Sequence, residues 1–159
     1  MSEYWPMDEW YIEKIMRRKN VFMREFSVAG VSRHQDLFTK YGYLNDDYFL
    51  SDKQLKENGI REHSIPKYGF GNLDLSIKPD PGNKIDLNAI KVFLGDEHVG
   101  FIRSEDTEYI HDMMEEDRIA DVDGRIIGGP AKRYDPISNQ IKTVDQYFGI
   151  RLYVFIRNN

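Results

Sequence analysis

Leu73, Leu75 and Ile77 alternate with Asp74, Ser76 and Lys78. A period of two sends one set of side chains to each face of an extended chain, so this segment predicts a strand with one buried face and one wet face. The signature recurs in short runs broken by turn residues. Residues 21–31 predict a strand in which Phe26, Val28 and Gly30 share a face. Ala89 to Leu94 and His98 to Ile102 flank Gly95-Asp96, which is the pattern of a tight hairpin. Residues 122–127 and 150–156 predict two closing strands, and Pro79 to Asn83 a turn-rich connection.

A longer helical period appears after Arg103. Ser104 is placed to cap a helix running to about Asp117, with Tyr109, Ile110, Met113 and Met114 on its inner face. Five or six short strands with one helix between the fourth and fifth predict a mainly β fold with helices (α+β). The natural architecture is a small OB-like or SH3-like, partly open barrel. Residues 1–20 predict an N-terminal helical arm, with Pro6, Asp8 and Glu9 at its start and Arg17, Arg18, Lys19 and Asn20 at its end. The single barrel domain then spans 21–159, with an insertion at 32–70. In that insertion only a short helix is legible, capped by Ser51 and ended by Gly59. Residues 128–146 read as a loop.

Composition narrows the function. The chain has no cysteine, which removes disulfides, thiolate metal sites and cysteine nucleophiles. The longest apolar run is the five residues Leu152 to Ile156, far short of the ~20 a membrane-spanning helix needs. No secretory signal is evident, and the expectation is a soluble cytoplasmic protein without membrane contact. The 10 Tyr, 9 Phe and 2 Trp exclude disorder and suit both a β-rich core and a stacking surface.

The net charge of −5 is uneven. Residues 104–123 carry nine acids and one base, Arg118, so this stretch holds −8 and the remainder +3. The overall balance argues against tight non-specific binding to long duplex DNA, which needs many phosphate contacts. It leaves room for a basic face elsewhere.

No catalytic or metal constellation stands out. His34, His63, His98 and His111 do not fall at metal-ligand spacing, and Gly69-Phe70-Gly71 lacks the Gly-Lys-Ser/Thr of a phosphate loop. Asp74, Asp80, Asp86 and Lys91 have the residue types of a metal-dependent nuclease. The Glu-x-Lys element is missing, and the acids fall on different faces or in the proline-rich turn. The expectation is a non-enzyme without cofactor or metal.

One segment is more specific. Asp80-Pro81-Gly82-Asn83-Lys84-Ile85-Asp86-Leu87-Asn88-Ala89-Ile90-Lys91-Val92 is followed, after a short turn, by Val99-Gly100-Phe101-Ile102. This resembles the HIRAN domain family, whose mark is Asn-Pro-Tyr-Asp-x-Asn-Ala-Ile-x-Val followed by Val-Gly-Tyr-Ile. Val28-Ala29-Gly30-Val31 is similar to the family's opening strand, and the resemblance covers roughly 21–128. It implies binding of single-stranded DNA or DNA 3′ ends, in repair, replication or phage biology. Asp86 would accept the terminal hydroxyl, Phe101 would stack a base, and Arg33 with His34 would stand in for the family's basic and aromatic residues. Lys84, Lys91 and Arg103 would hold phosphates. Ile85 stands where the family often has Tyr. Read from the residues alone, Asn83, Asp86 and Asn88 equally suit a turn that bonds its own backbone.

A second reading keeps the fold without the DNA site. In it the chain is a protein-interaction module, or an acidic DNA mimic that inhibits a nucleic-acid enzyme. Its partner would dock through the N-terminal arm or the acidic helix 104–117.

Overall fold

Eleven strands and three α-helices make up the regular structure of residues 20–159, the part of the chain that the computed structural model describes. In chain order they are β1 (Val21–Ala29), α1 (Gln35–Tyr41), β2 (Tyr43–Leu44), α2 (Asp52–Glu57), β3 (Ile65–Pro66), β4 (Tyr68–Gly69), β5 (Leu75–Pro79), β6 (Ile90–Leu94), β7 (Glu97–Ile102), α3 (Ser104–Glu115), β8 (Ile119–Gly128), β9 (Ala131–Asp135), β10 (Gln140–Val144) and β11 (Phe148–Arg157). They fall into two compact units. Among the described residues, one holds 20–34 with 72–126 and 150–159, and the other holds 35–71 with 127–149. The arm expected over 1–20 lies outside the described residues except for Asn20, which adopts a left-handed φ of 53° just before β1.

In the first unit a six-stranded sheet runs in the order β5-β6-β7-β1-β11-β8. The pairs β5–β6, β6–β7, β7–β1 and β1–β11 are antiparallel, and β1 and β11 stay in register from Val21↔Arg157 to Ser27↔Arg151. The two end strands of that order approach each other. A Cβ built on Gly124 of β8 would lie 2.6 Å from Leu75 Cδ1 of β5, so the sheet curls into a nearly closed barrel. The expected barrel with one helix between its fourth and fifth strands is therefore present. Its inner face is apolar: Phe26, Ile90, Val92, Leu94, Val99, Ile102, Leu152, Val154 and Ile156 are all buried.

The helix α3 buries Thr107, Ile110 and Met113. Tyr109 lies 6.3 Å from the Phe26 ring and under the Arg24 guanidinium, which sits 4.0 Å from its centroid. Ser104 is not the cap. Arg103 occupies that position without a side-chain bond, and Ser104 instead offers its carbonyl to Thr107 Oγ1 at 2.9 Å. The helix ends at Glu115 rather than Asp117. Asp117 takes a left-handed φ of 52°, and the amides of Asp117 and Arg118 close on the carbonyls of Met114 and Met113. That is the Schellman closure, with an aspartate where glycine is usual.

The second unit is built from short elements with few local sequence signals. Its α2 is capped as expected: Ser51 and Gln54 form a reciprocal capping box, and Gly59 follows with φ 89°. Around it Tyr48, Leu55, Ile60 and Ile65 form a core. A second cluster is aromatic, with Phe38, Tyr68 and Phe70 packed on Phe148 at centroid distances of 5.1, 5.9 and 5.9 Å. The expected loop at 128–146 is instead the hairpin β9–β10, to which β3 adds a third strand. Ala131 is the one buried position along β9 and β10, and the half-buried ones do not form a continuous apolar alternation, so no clear period of two marks these strands.

Candidate nucleic-acid interface

The outward face of β5, β6, β7 and β1 carries the candidate site. Side chains opposite one another in a ladder share a face. Lys78 faces Lys91, Lys91 faces Phe101, and Phe101 faces Ala29, which makes one row across four strands. Ser76, Phe93 and His98 make the next row.

A bulge creates this surface. His98 and Phe101 are three residues apart, so a regular strand would send them to opposite faces. The ladder shifts between Val92↔Gly100 and Phe93↔His98. One extra residue of β7 is absorbed there, and both side chains emerge on the outside. Gly100 makes this possible, because a Cβ at that position would lie 2.6 Å from both the Ala29 carbonyl oxygen and Val28 Cγ1.

The result is a cluster of rings. His98 stands edge-on to Phe101 at 4.7 Å, 5.8 Å from Phe93 and 5.5 Å from His34. His34 arrives from the turn Val31–His34, which begins after Gly30 breaks the strand with φ 77°. The expected strand to Val31 thus stops at Ala29. His98 Nε2 donates to the Gly100 carbonyl at 2.7 Å, which fixes the ring and places its proton on that nitrogen.

Burial pushes the His98 pKa below its ordinary 6.5, and the charges of Lys91 and His34 add to this against the pull of the Gly100 carbonyl and Asp80. A neutral imidazole is thus the state presented at pH 7. The folded protein holds this proton less well than the unfolded chain. The stability His98 contributes is therefore present above about pH 6.5, and it is lost as pH falls through that value toward the folded pKa. A two-dimensional NMR titration should place the His98 midpoint below 6.5. A midpoint at or above 6.5 would show that the ring cluster does not desolvate it.

The turn beside this face is tied to it by a short polar chain. Asn83 Oδ1 accepts from the amides of Ile85 and Asp86 at 2.9 and 3.0 Å, and Asn83 Nδ2 donates to Asp80 Oδ2 at 3.1 Å. Asp80 Oδ2 lies 3.9 Å from Lys91 Nζ. Asp86 Oδ1 accepts from the Asn88 amide at 2.9 Å, so this carboxylate caps the turn. The exposed Ile85 adds no ring.

Of the residues singled out in the sequence, His34, Lys91 and Phe101 come together at the ring cluster. Asp86 reaches it only through the Asn83–Asp80–Lys91 chain. Lys84 is exposed in the turn and Arg33 on the surface beside His34. Arg103 lies at the start of α3, 3.7 Å from Glu105 Oε1. Such exposed pairs hold their charges only weakly, at about 0–1 kcal/mol. Lys78, Phe93 and His98 were missed. Lys78 and Phe93 follow from the predicted strands once their outward faces are aligned, whereas His98 depends on the bulge.

Among the described residues no group of three His, Asp or Glu side chains gathers to hold a metal ion. Among them, too, no helix is long and apolar enough to cross a membrane. Comparison with protein-family models, with curated proteins and with solved structures finds no match.

Proposed function

We propose that this protein is a HIRAN-like, non-catalytic binding module for single-stranded nucleic acid, acting in the cytoplasm in DNA repair, replication or phage biology. The observation that carries the reading is the half-exposed ring cluster His34, Phe93, His98 and Phe101 beside Lys91 on the outward sheet face. Bases stack on such rings because every base has a π-face, and lysines follow the backbone phosphates. Asp86 supports recognition of an end, since a carboxylate accepts from a terminal hydroxyl.

Fluorescence anisotropy with labelled oligonucleotides tests this. Binding should fall steeply with salt through counterion release. Phe101→Ala should weaken it by about 5- to 150-fold, the loss of one stacked base. Asp86→Ala should erase any preference for a 3′-hydroxyl over a 3′-phosphate. No binding at low salt, or a Phe101→Ala variant that binds normally, would overturn the proposal.

A second reading draws on α3, whose Glu105, Glu108, Asp112 and Glu115 face outward from its buried side. That surface suits a basic protein partner, and this reading takes over if oligonucleotides fail.

A further inference from the structure

The second unit holds a surface that the barrel reading does not use. Tyr48 is buried, and two ammonium groups converge on its ring: Lys132 Nζ lies 4.6 Å and Lys67 Nζ 6.0 Å from the centroid. Lys132 Nζ also donates to the Tyr48 carbonyl at 2.7 Å. Lys67 Nζ lies 5.7 Å from the Tyr68 ring as well. Neither lysine is within ion-pair distance of a carboxylate among the described residues, although Asp46 and Asp47 sit on the same turn as Tyr48.

The next residue, Phe49, meets Tyr48 edge to face at 5.2 Å and is 58% exposed. The turn that carries it is pinned. Asn45 caps it, donates from its side chain to the Pro66 carbonyl at 2.9 Å, and donates from its amide to the Lys67 carbonyl at 2.8 Å. Two cations without carboxylate counterions therefore stand on a fixed frame next to a bare ring.

We infer that Lys67, Lys132 and Phe49 form a second nucleotide-contact site, with a backbone phosphate on the lysines and its base on Phe49. An acidic peptide would satisfy the lysines but would leave the exposed ring unused, whereas a nucleotide uses both. The inference deepens the single-strand reading and rests on it.

The test is NMR of the intact protein titrated with an oligothymidylate and, separately, with polyglutamate, followed by anisotropy of variants. Amide shifts from the oligonucleotide at both 45–49 with Lys67 and Lys132, and at 91–101, support both sites. Shifts confined to 91–101 overturn the second site and leave the first. Shifts confined to 45–49, Lys67 and Lys132 support the second and overturn the first, and no shifts at low salt overturn both. Equal effects of polyglutamate at Phe49 assign the surface to an acidic protein and overturn the inference.

Phe49→Ala, at an exposed position, should weaken oligonucleotide binding by about 5- to 150-fold. Lys67→Gln should lower the salt slope by about 0.7. Unchanged affinity and slope in both variants would overturn the site.

Discussion

Leu152→Ala lowers the unfolding free energy by about 3–4 kcal/mol, the cost of lost apolar burial plus an unfilled cavity. Leu152 is fully buried at 0% exposure and lies opposite Phe26 in the central β1–β11 ladder. Its neighbours on the inner face, Ile150, Val154 and Ile156, are also buried and held by strand pairing, so they cannot close over the gap. The measurement is urea unfolding followed by circular dichroism, where the midpoint should fall with little change in slope. Ile85→Ala is the control. That side chain is 99% exposed, so the same kind of truncation should change stability by less than about 0.5 kcal/mol. A Leu152→Ala loss below that of Ile85→Ala would mean that the barrel interior is not the core of the first unit.

Gly100→Ala has the second largest expected effect, about 3 kcal/mol of destabilisation from overpacking. The added methyl would meet the Ala29 carbonyl oxygen at 2.6 Å, and that atom belongs to the neighbouring strand's backbone. A flexible side chain can move aside, but a paired backbone cannot do so without parting the ladder. The β1–β7 pairs are Val28↔Ile102 and Ala29↔Phe101, so the clash falls on the ladder that joins the two strands. The bulge sits at this point, so the variant should also displace His98 from the Gly100 carbonyl and scatter the rings. Its oligonucleotide affinity should fall at temperatures where it is still folded. Gly71→Ala is the matched control, because a Cβ there meets nothing within 4 Å. A substitution at such a site should be neutral or slightly stabilising. Equal stabilities for the two variants would show that β7 does not press on β1.

The parts of the site that were legible lie on regular ladders. Lys91 and Phe101 belong to a hairpin whose alternation and Gly95-Asp96 turn are both plain, and they pair directly in the structure. His98 was visible as a residue but not as a member of the site. Counting by twos sends it to the wrong face, and a bulge is a property of two strands in register rather than of one strand's composition. The partners of His34 were hidden for a similar reason, since it reaches His98 from a separate turn. The second unit resisted more completely. Its β2, β3 and β4 are two residues each, too short to show any period. Phe148 meets Phe38, Tyr68 and Phe70 across long stretches of chain.

Local rules therefore determined what is local. Alternation set the barrel strands, Ser51 with Gln54 set the start of α2, and the absence of cysteine excluded thiol chemistry. These depend on neighbours within a few residues, where backbone geometry and hydrogen-bonding capacity are already written. Tertiary structure alone decided the bulge that turns His98 outward, the pairing of 35–71 with 127–149, and the convergence of Lys67 and Lys132 on Tyr48. Each of these requires segments distant along the chain to meet. Their meeting is set by which buried surfaces fit together, a quantity that no single stretch of sequence carries.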